Sequence, residues 1–159
     1  MYRTMNRYIR NKSRLEHMNE QESFWDNGSF VVVTDKTKPA MRWTAQELKR
    51  REKKVYVLDL SDRPDEGSIT EVSGLPAEID CAIIGVTRRD PADVIEQIKN
   101  MGIKKFWIHW RTDTARARKL CQQAEVQCIT GRCPMMYLAP GGLNMHSMHR
   151  AVAKIFNKY

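Results

Sequence analysis

The sequence predicts a three-layer α/β/α domain around a five-stranded parallel sheet. Three observations carry that prediction. Short apolar runs rich in β-branched and aromatic residues recur five times. Amphipathic stretches of helical period lie between them. Turn formers separate the two kinds of segment. Alternation of this kind implies β-α-β units with right-handed crossovers and helices on both faces of the sheet. The 159 residues suit one domain with a real core.

A weak helical pattern runs from Leu15 to Trp25 and stops at Asn27-Gly28. Phe30 to Thr34 is the first strand. Met41, Thr44, Ala45 and Leu48 share a helical face after Pro39, and Thr44 with Glu47 has the spacing of a capping box. Lys54 to Leu58 is the second strand, followed by the polar turn SDRPDEGS. Cys81 to Val86 is the third. Asp90 caps a helix with Pro91 in its first turn and a stripe of Val94, Ile95, Ile98 and Met101, ending at Gly102. Lys105 to Trp110 is the fourth strand. Asp113 is the expected cap of the next helix, buried through Ala117, Leu120, Cys121 and Ala124. Gln127 to Thr130 is a short fifth strand. Asn144 caps a final helix with Met148, Val152, Ile155 and Phe156 inward. The expected strand order is 3-2-1-4-5. Residues 15–159 form the domain, preceded by a basic arm, residues 1–14, holding Arg3, Arg7, Arg10, Lys12 and Arg14 and no acid.

Composition narrows the partners. Hydrophobic residues are 42% and charged residues 29%, as in a soluble globular protein. No apolar run approaches the roughly 20 residues that span a bilayer, and no signal peptide is apparent. The four cysteines form no CxxC pair and read as reduced thiols of a cytoplasmic protein. The formal net charge of +8 favours anions without choosing among nucleic acid, phosphorylated metabolites and acidic lipids.

In such sheets the ligand lies beyond the carboxyl ends of the strands, at the topological switch point. A basic residue follows every strand there: Lys36, Arg63, Arg88, Arg111 and Arg132. Polyphosphates are held by such sets. The first loop, Thr34 to Lys38, leads into Pro39 and a helix N-terminus, whose unpaired N–H groups attract anions. No glycine lies between Ser29 and Glu66, so the G-x-G-x-x-G fingerprint is absent.

Several segments resemble a known family. LPAEID (Leu75 to Asp80) enters the third strand, NMGIKKFWIHW (Asn100 to Trp110) surrounds the fourth, and TGRCPMMYL (Thr130 to Leu138) closes the sheet with a Cys-Pro. From the first strand to Leu138 the chain resembles the small CoA-binding domain proteins, single-domain relatives of the nucleotide-binding domain of the succinyl-CoA synthetase alpha subunit. That resemblance implies a Rossmann-like domain and a nucleotide-type ligand, CoA or an acyl-CoA. Thr34, Lys36, Lys38 and Arg42 would then hold the diphosphate, Asp59 and Ser61 would face ribose or adenine, and Val86, Arg88, Cys133 and Pro134 would line the pantetheine side. The first loop departs from the family's glycine and small residue. Its Asp35 would repel phosphate unless the carboxylate caps the helix.

Alternatives stay open at this level. Asp59 ends the second strand, where an acid binds the ribose of a nicotinamide nucleotide, so an NAD(P)-linked oxidoreductase is one. A basic nucleic-acid module with stacking aromatics such as Trp43 is another, though RNP, KH and zinc-finger signatures are missing. Cys133 follows Arg132 and is a candidate thiol. His146 and His149, with His109 or Cys133, make an incomplete metal set. No nucleophile or acid/base pair stands out, which favours a binding or regulatory module over an enzyme. Oligomeric state is not legible.

Overall fold

The computed structural model describes residues 20–138. The basic arm, the helix expected after Asn144, and His146 and His149 lie outside the described residues. Five parallel strands form one sheet: β1 (Ser29–Thr34), β2 (Lys54–Asp59), β3 (Cys81–Gly85), β4 (Lys105–His109) and β5 (Gln127–Arg132). Four α-helices lie wholly within the described residues, α1 (Pro39–Arg50), α2 (Pro91–Asn100), α3 (Ala115–Leu120) and the short α4 (Met135–Leu138), and residues 20–23 are helical as well.

Alternate residues of the strands feed two cores. Val31, Val33, Ala82, Ile84, Phe106 and Ile108 pack under α2 and α3, against Val94, Ile95, Ile98 and Ala117. Phe30, Val32, Ile83 and Trp107 face the other way, against Ala40, Met41, Ala45 and Leu48 of α1 and against Phe24, Trp25 and Met135. Period-2 side chains on strands buried on both faces produce this three-layer arrangement.

The strand order is 2-1-3-4-5, which corrects the expected 3-2-1-4-5. Burial explains the difference. β1 and β3 are buried throughout. β2 begins with an exposed Lys54, and Val55, Tyr56 and Val57 are half-buried. The strand with a polar start is therefore the edge strand. The β2–β3 crossover, read from the sequence as a polar turn, contains no α-helix. It contributes Ile69, Val72, Leu75 and Ile79 to the α2-side core instead, with a single 3-10 turn at Val72–Gly74.

Local signals fare differently. Asp90 caps α2 as its sequence predicts, accepting from the Ala92 N–H at 3.0 Å. The Thr44–Glu47 capping box does not form, because α1 starts five residues earlier, at Pro39. The Thr44 hydroxyl instead donates to the Ala40 carbonyl, and Glu47 pairs with Arg50 and Arg51. Thr114, not Asp113, caps α3. That helix ends at Leu120, leaving Ala124 exposed. The reduced state expected of all four cysteines is corrected too. The tight return from α3 to β5 brings the Cα atoms of Cys121 and Cys128 to 5.3 Å, and a disulfide joins them. The cytoplasmic expectation loses the support it drew from reduced thiols. No helix among the described residues is long and apolar enough to cross a membrane.

Candidate anion site at the carboxyl edge of the sheet

The order 2-1-3-4-5 places the switch point between β1 and β3, since α1 leaves β1 to one face and α2 leaves β3 to the other. The loops after β1 and β3 meet there. Lys36 takes a left-handed backbone, φ 64°, the conformation glycine normally supplies. Its N–H donates to Thr34 Oγ1 at 3.0 Å, which closes the turn.

Asp35 organises the crevice. The residue is fully buried. One carboxylate oxygen accepts from the Thr87 and Arg88 N–H groups, both at 2.7 Å. The other accepts from the Thr37 N–H at 3.1 Å and from the Thr37 hydroxyl. Burial alone would raise its pKa; these donors outweigh burial and hold it below the ordinary carboxylate value. Asp35 thus reaches across to the β3 loop rather than capping α1.

Two of the expected ligand cations, Lys36 and Arg88, are engaged with acids of the chain itself. Lys36 Nζ lies 3.2 Å from Asp59 and 2.8 Å from Asp65. Asp59 is buried, and its carboxylate accepts from the N–H groups of Ser61 and Asp65, each at 3.0 Å. Burial pushes Asp59 up, but Ser61, the Asp65 N–H and Lys36 together bring it below its ordinary value. The Asp65 carboxylate, then Asp59, raises Lys36. Arg88 pairs with Asp62. The turn SDRPDEGS, read above only as turn formers, thus supplies the acids that neutralise this edge. Those acids, and Asp35, are the residues the sequence reading undervalued; their place directly after the ends of β1 and β2 was the available signal.

Val86 and Cys133 are fully buried in the two cores, and Pro134 is buried as well. None of the three lines an open surface. Burial raises the Cys133 thiol pKa, and burial likewise pushes Cys81 to about 12, so neither is an activated thiol. His109 is buried, its Nδ1 accepting from the Arg111 N–H at 3.2 Å. Arg111 stacks on Trp110, 4.3 Å from the ring centroid.

Lys38, Arg42, Arg63 and Arg132 keep cationic side chains without an ion-pair partner among the described residues. Lys38 is the N-cap of α1, and no side chain caps that helix. Pro39 has no N–H and the Met41 N–H donates to the Lys38 carbonyl at 3.0 Å, so the α1 start presents the Ala40 N–H, with Lys38 and Arg42 one turn apart. A cleft of about 700 Å³ opens beside the edge, from Leu60 and Arg89 toward Asn100. Glu71, Asp93 and Glu96 line it, with Arg116 paired to Asp93 and Glu96. A second, of about 550 Å³, lies at the opposite end of the strands, by Ser29 and Asp80.

Solved structures share this architecture. Prb, the PH1109 protein redesigned for binding, aligns over 80% of this chain and 94% of its own, with a TM-score of 0.64 and 16% identity. A conserved hypothetical protein from Pyrococcus furiosus aligns over 67% and 96%, with a TM-score of 0.57 and 21% identity. At such identities the likeness is one of fold. No curated protein matches the chain. The family model described as a CoA binding domain matches residues 31–139, from β1 past the end of α4. That match, over more than half of the chain and on a parallel sheet in the order 2-1-3-4-5, leads to one conclusion: the chain belongs to the CoA-binding domain family.

Proposed function

We propose that the protein binds CoA or an acyl-CoA as a non-catalytic or regulatory module. The observation that carries this reading is the contrast between two helix starts at the same edge. Asp90 takes the Ala92 N–H of α2, whereas the matching Ala40 N–H of α1 has no side-chain cap and lies between Lys38 and Arg42. The diphosphate sits at the start of α1, held chiefly by those two cations, with the Ala40 N–H beside them. Thr34, Lys36, Asp59 and Ser61 act as the frame that fixes the β1 and β2 loops. Arg88 joins the ligand on leaving Asp62. Val86, Cys133 and Pro134 support the wall from beneath rather than touching the pantetheine.

Calorimetry with CoA, acetyl-CoA, NAD and ATP at two salt concentrations tests this. CoA binds most tightly and weakens with salt. Lys38→Ala with Arg42→Ala lowers affinity by about tenfold to a hundredfold, as expected for losing exposed charge-assisted contacts. Unchanged affinity in the folded double variant would refute the site. Tighter binding of NAD than of CoA would favour an oxidoreductase, although Asp59 is already occupied by Lys36 and two N–H groups. Binding of an oligonucleotide alone would favour a nucleic-acid module.

A further inference from the structure

We propose that Asp35 is a built-in competitor for phosphate: its carboxylate fills an anion cradle at the switch point, and a phosphate enters that crevice only when Asp35 leaves. The inference rests on reading this edge as an anion site and adds how the site is closed. The cradle consists of the Thr87 and Arg88 N–H groups, the Thr37 N–H and the Thr37 hydroxyl. Successive backbone N–H groups converging on one point form an anion-binding concavity. Here two successive N–H groups, at 2.7 Å each, converge on a single carboxylate oxygen.

The way Asp35 is held is the way a free anion would be held. Among the described residues no cation lies within ion-pair distance of it. Its buried charge is compensated by N–H and O–H donors alone, which a phosphate oxygen could equally use. The donors come from both loops flanking the β1/β3 crevice, so the carboxylate bridges the place where a ligand would insert. Thr87 and Thr37, whose hydroxyls are 2.8 Å apart, close the crevice above it. A phosphate cannot share this space, because two buried anions on one set of donors repel each other. In the closed chain, phosphate is thereby confined to the α1 start. Opening the cradle extends the anion site from α1 to the β3 loop.

Pyrophosphate is the probe. Calorimetry compares the wild type with Asp35→Gly and with Glu125→Gln. Glu125 pairs with Lys99 away from the carboxyl edge, so its variant makes the same change in net charge without opening the cradle. Asp35→Gly binds pyrophosphate at least about tenfold tighter, the effect of one charge-assisted hydrogen bond. Glu125→Gln leaves affinity within about twofold, as a distant screened charge should. Equal or weaker binding by folded Asp35→Gly, or the same gain in both variants, overturns the proposal. If Asp35→Gly does not fold, amide NMR of the wild type decides. Saturating pyrophosphate then moves the Ala40 amide and leaves Thr87 and Arg88 in place. Movement of Thr87 and Arg88 at the same concentrations overturns it. Failure of the α1 site reads differently: wild type and the Lys38/Arg42 variant then bind pyrophosphate alike, while Asp35→Gly still gains.

Discussion

Two aspartates hold β1 against β3, one at each end. At the carboxyl end Asp35 gathers the Thr87 and Arg88 N–H groups. At the amino end Asp80 accepts from the N–H groups of Gly28 and Ser29 and from the Ser29 hydroxyl, at 2.9–3.0 Å. Asp80 is lowered chiefly by the Ser29 N–H, and Asp90 by the Ala92 N–H. Asp35, Asp59, Asp80 and Asp90 all titrate below 3.8 in the folded chain. Between the folded and unfolded pKa values the unfolded chain binds more protons, so stability falls as pH falls. Their contribution is complete above the unfolded value and is lost as pH drops through the folded ones. Denaturant melts at stepped pH therefore show a flat midpoint near neutrality and a steep decline below about pH 4. Asp35→Asn flattens that decline. A decline centred near pH 6 would instead assign it to histidine.

At the scale of elements, one glycine sets how closely α1 approaches the sheet. A Cβ on Gly85 would lie 2.4 Å from Met41 Cγ and 2.5 Å from its sulfur, in a fully buried contact. Gly85→Ala should cost about 1–3 kcal/mol, read as an earlier denaturant midpoint, because overpacking forces the helix outward. Adding Met41→Ala restores part of the loss; strict additivity would mean the two do not touch. Elements with strong local patterns were legible in the sequence. Phe30 to Thr34 and Cys81 to Val86 announced buried strands, and Asp90-Pro91 announced a helix start. What was not legible came from tertiary pairing. Strand order depended on β2 being half-exposed, and Thr44 resembled a cap only until Pro39 began the helix earlier. For the site, the positions of Lys36, Asp59 and Arg88 were foreseen, but not that Lys36 and Asp59 bind each other or that Asp62 takes Arg88.

For the molecule as a whole, the two faces of the sheet are unequally protected near β2. The crossover that replaces a helix touches the sheet through the Asp59 N–H to Ile69 carbonyl and Ile69 N–H to Val57 carbonyl bonds, at 2.8 and 3.0 Å. Its outer part, residues 62–67, is exposed, and Lys36 and Arg88 tie it to the neighbouring loops. Exposed ion pairs weaken as salt shortens the screening length to about 8 Å at 0.15 M. This segment is therefore expected to open as a separate cooperative unit while the sheet stays intact. Native-state hydrogen exchange gives the readout. Amides at 61–68 exchange through a salt-accelerated local opening, whereas Val31 to Val33 and Ile83 to Ile84 exchange only through global unfolding. Salt-independent exchange at 61–68 would show that the ion pairs do not hold the segment. A crossover held this way, beside the proposed ligand edge, implies that a bound anion would alter the amplitude of motion there before altering any average position.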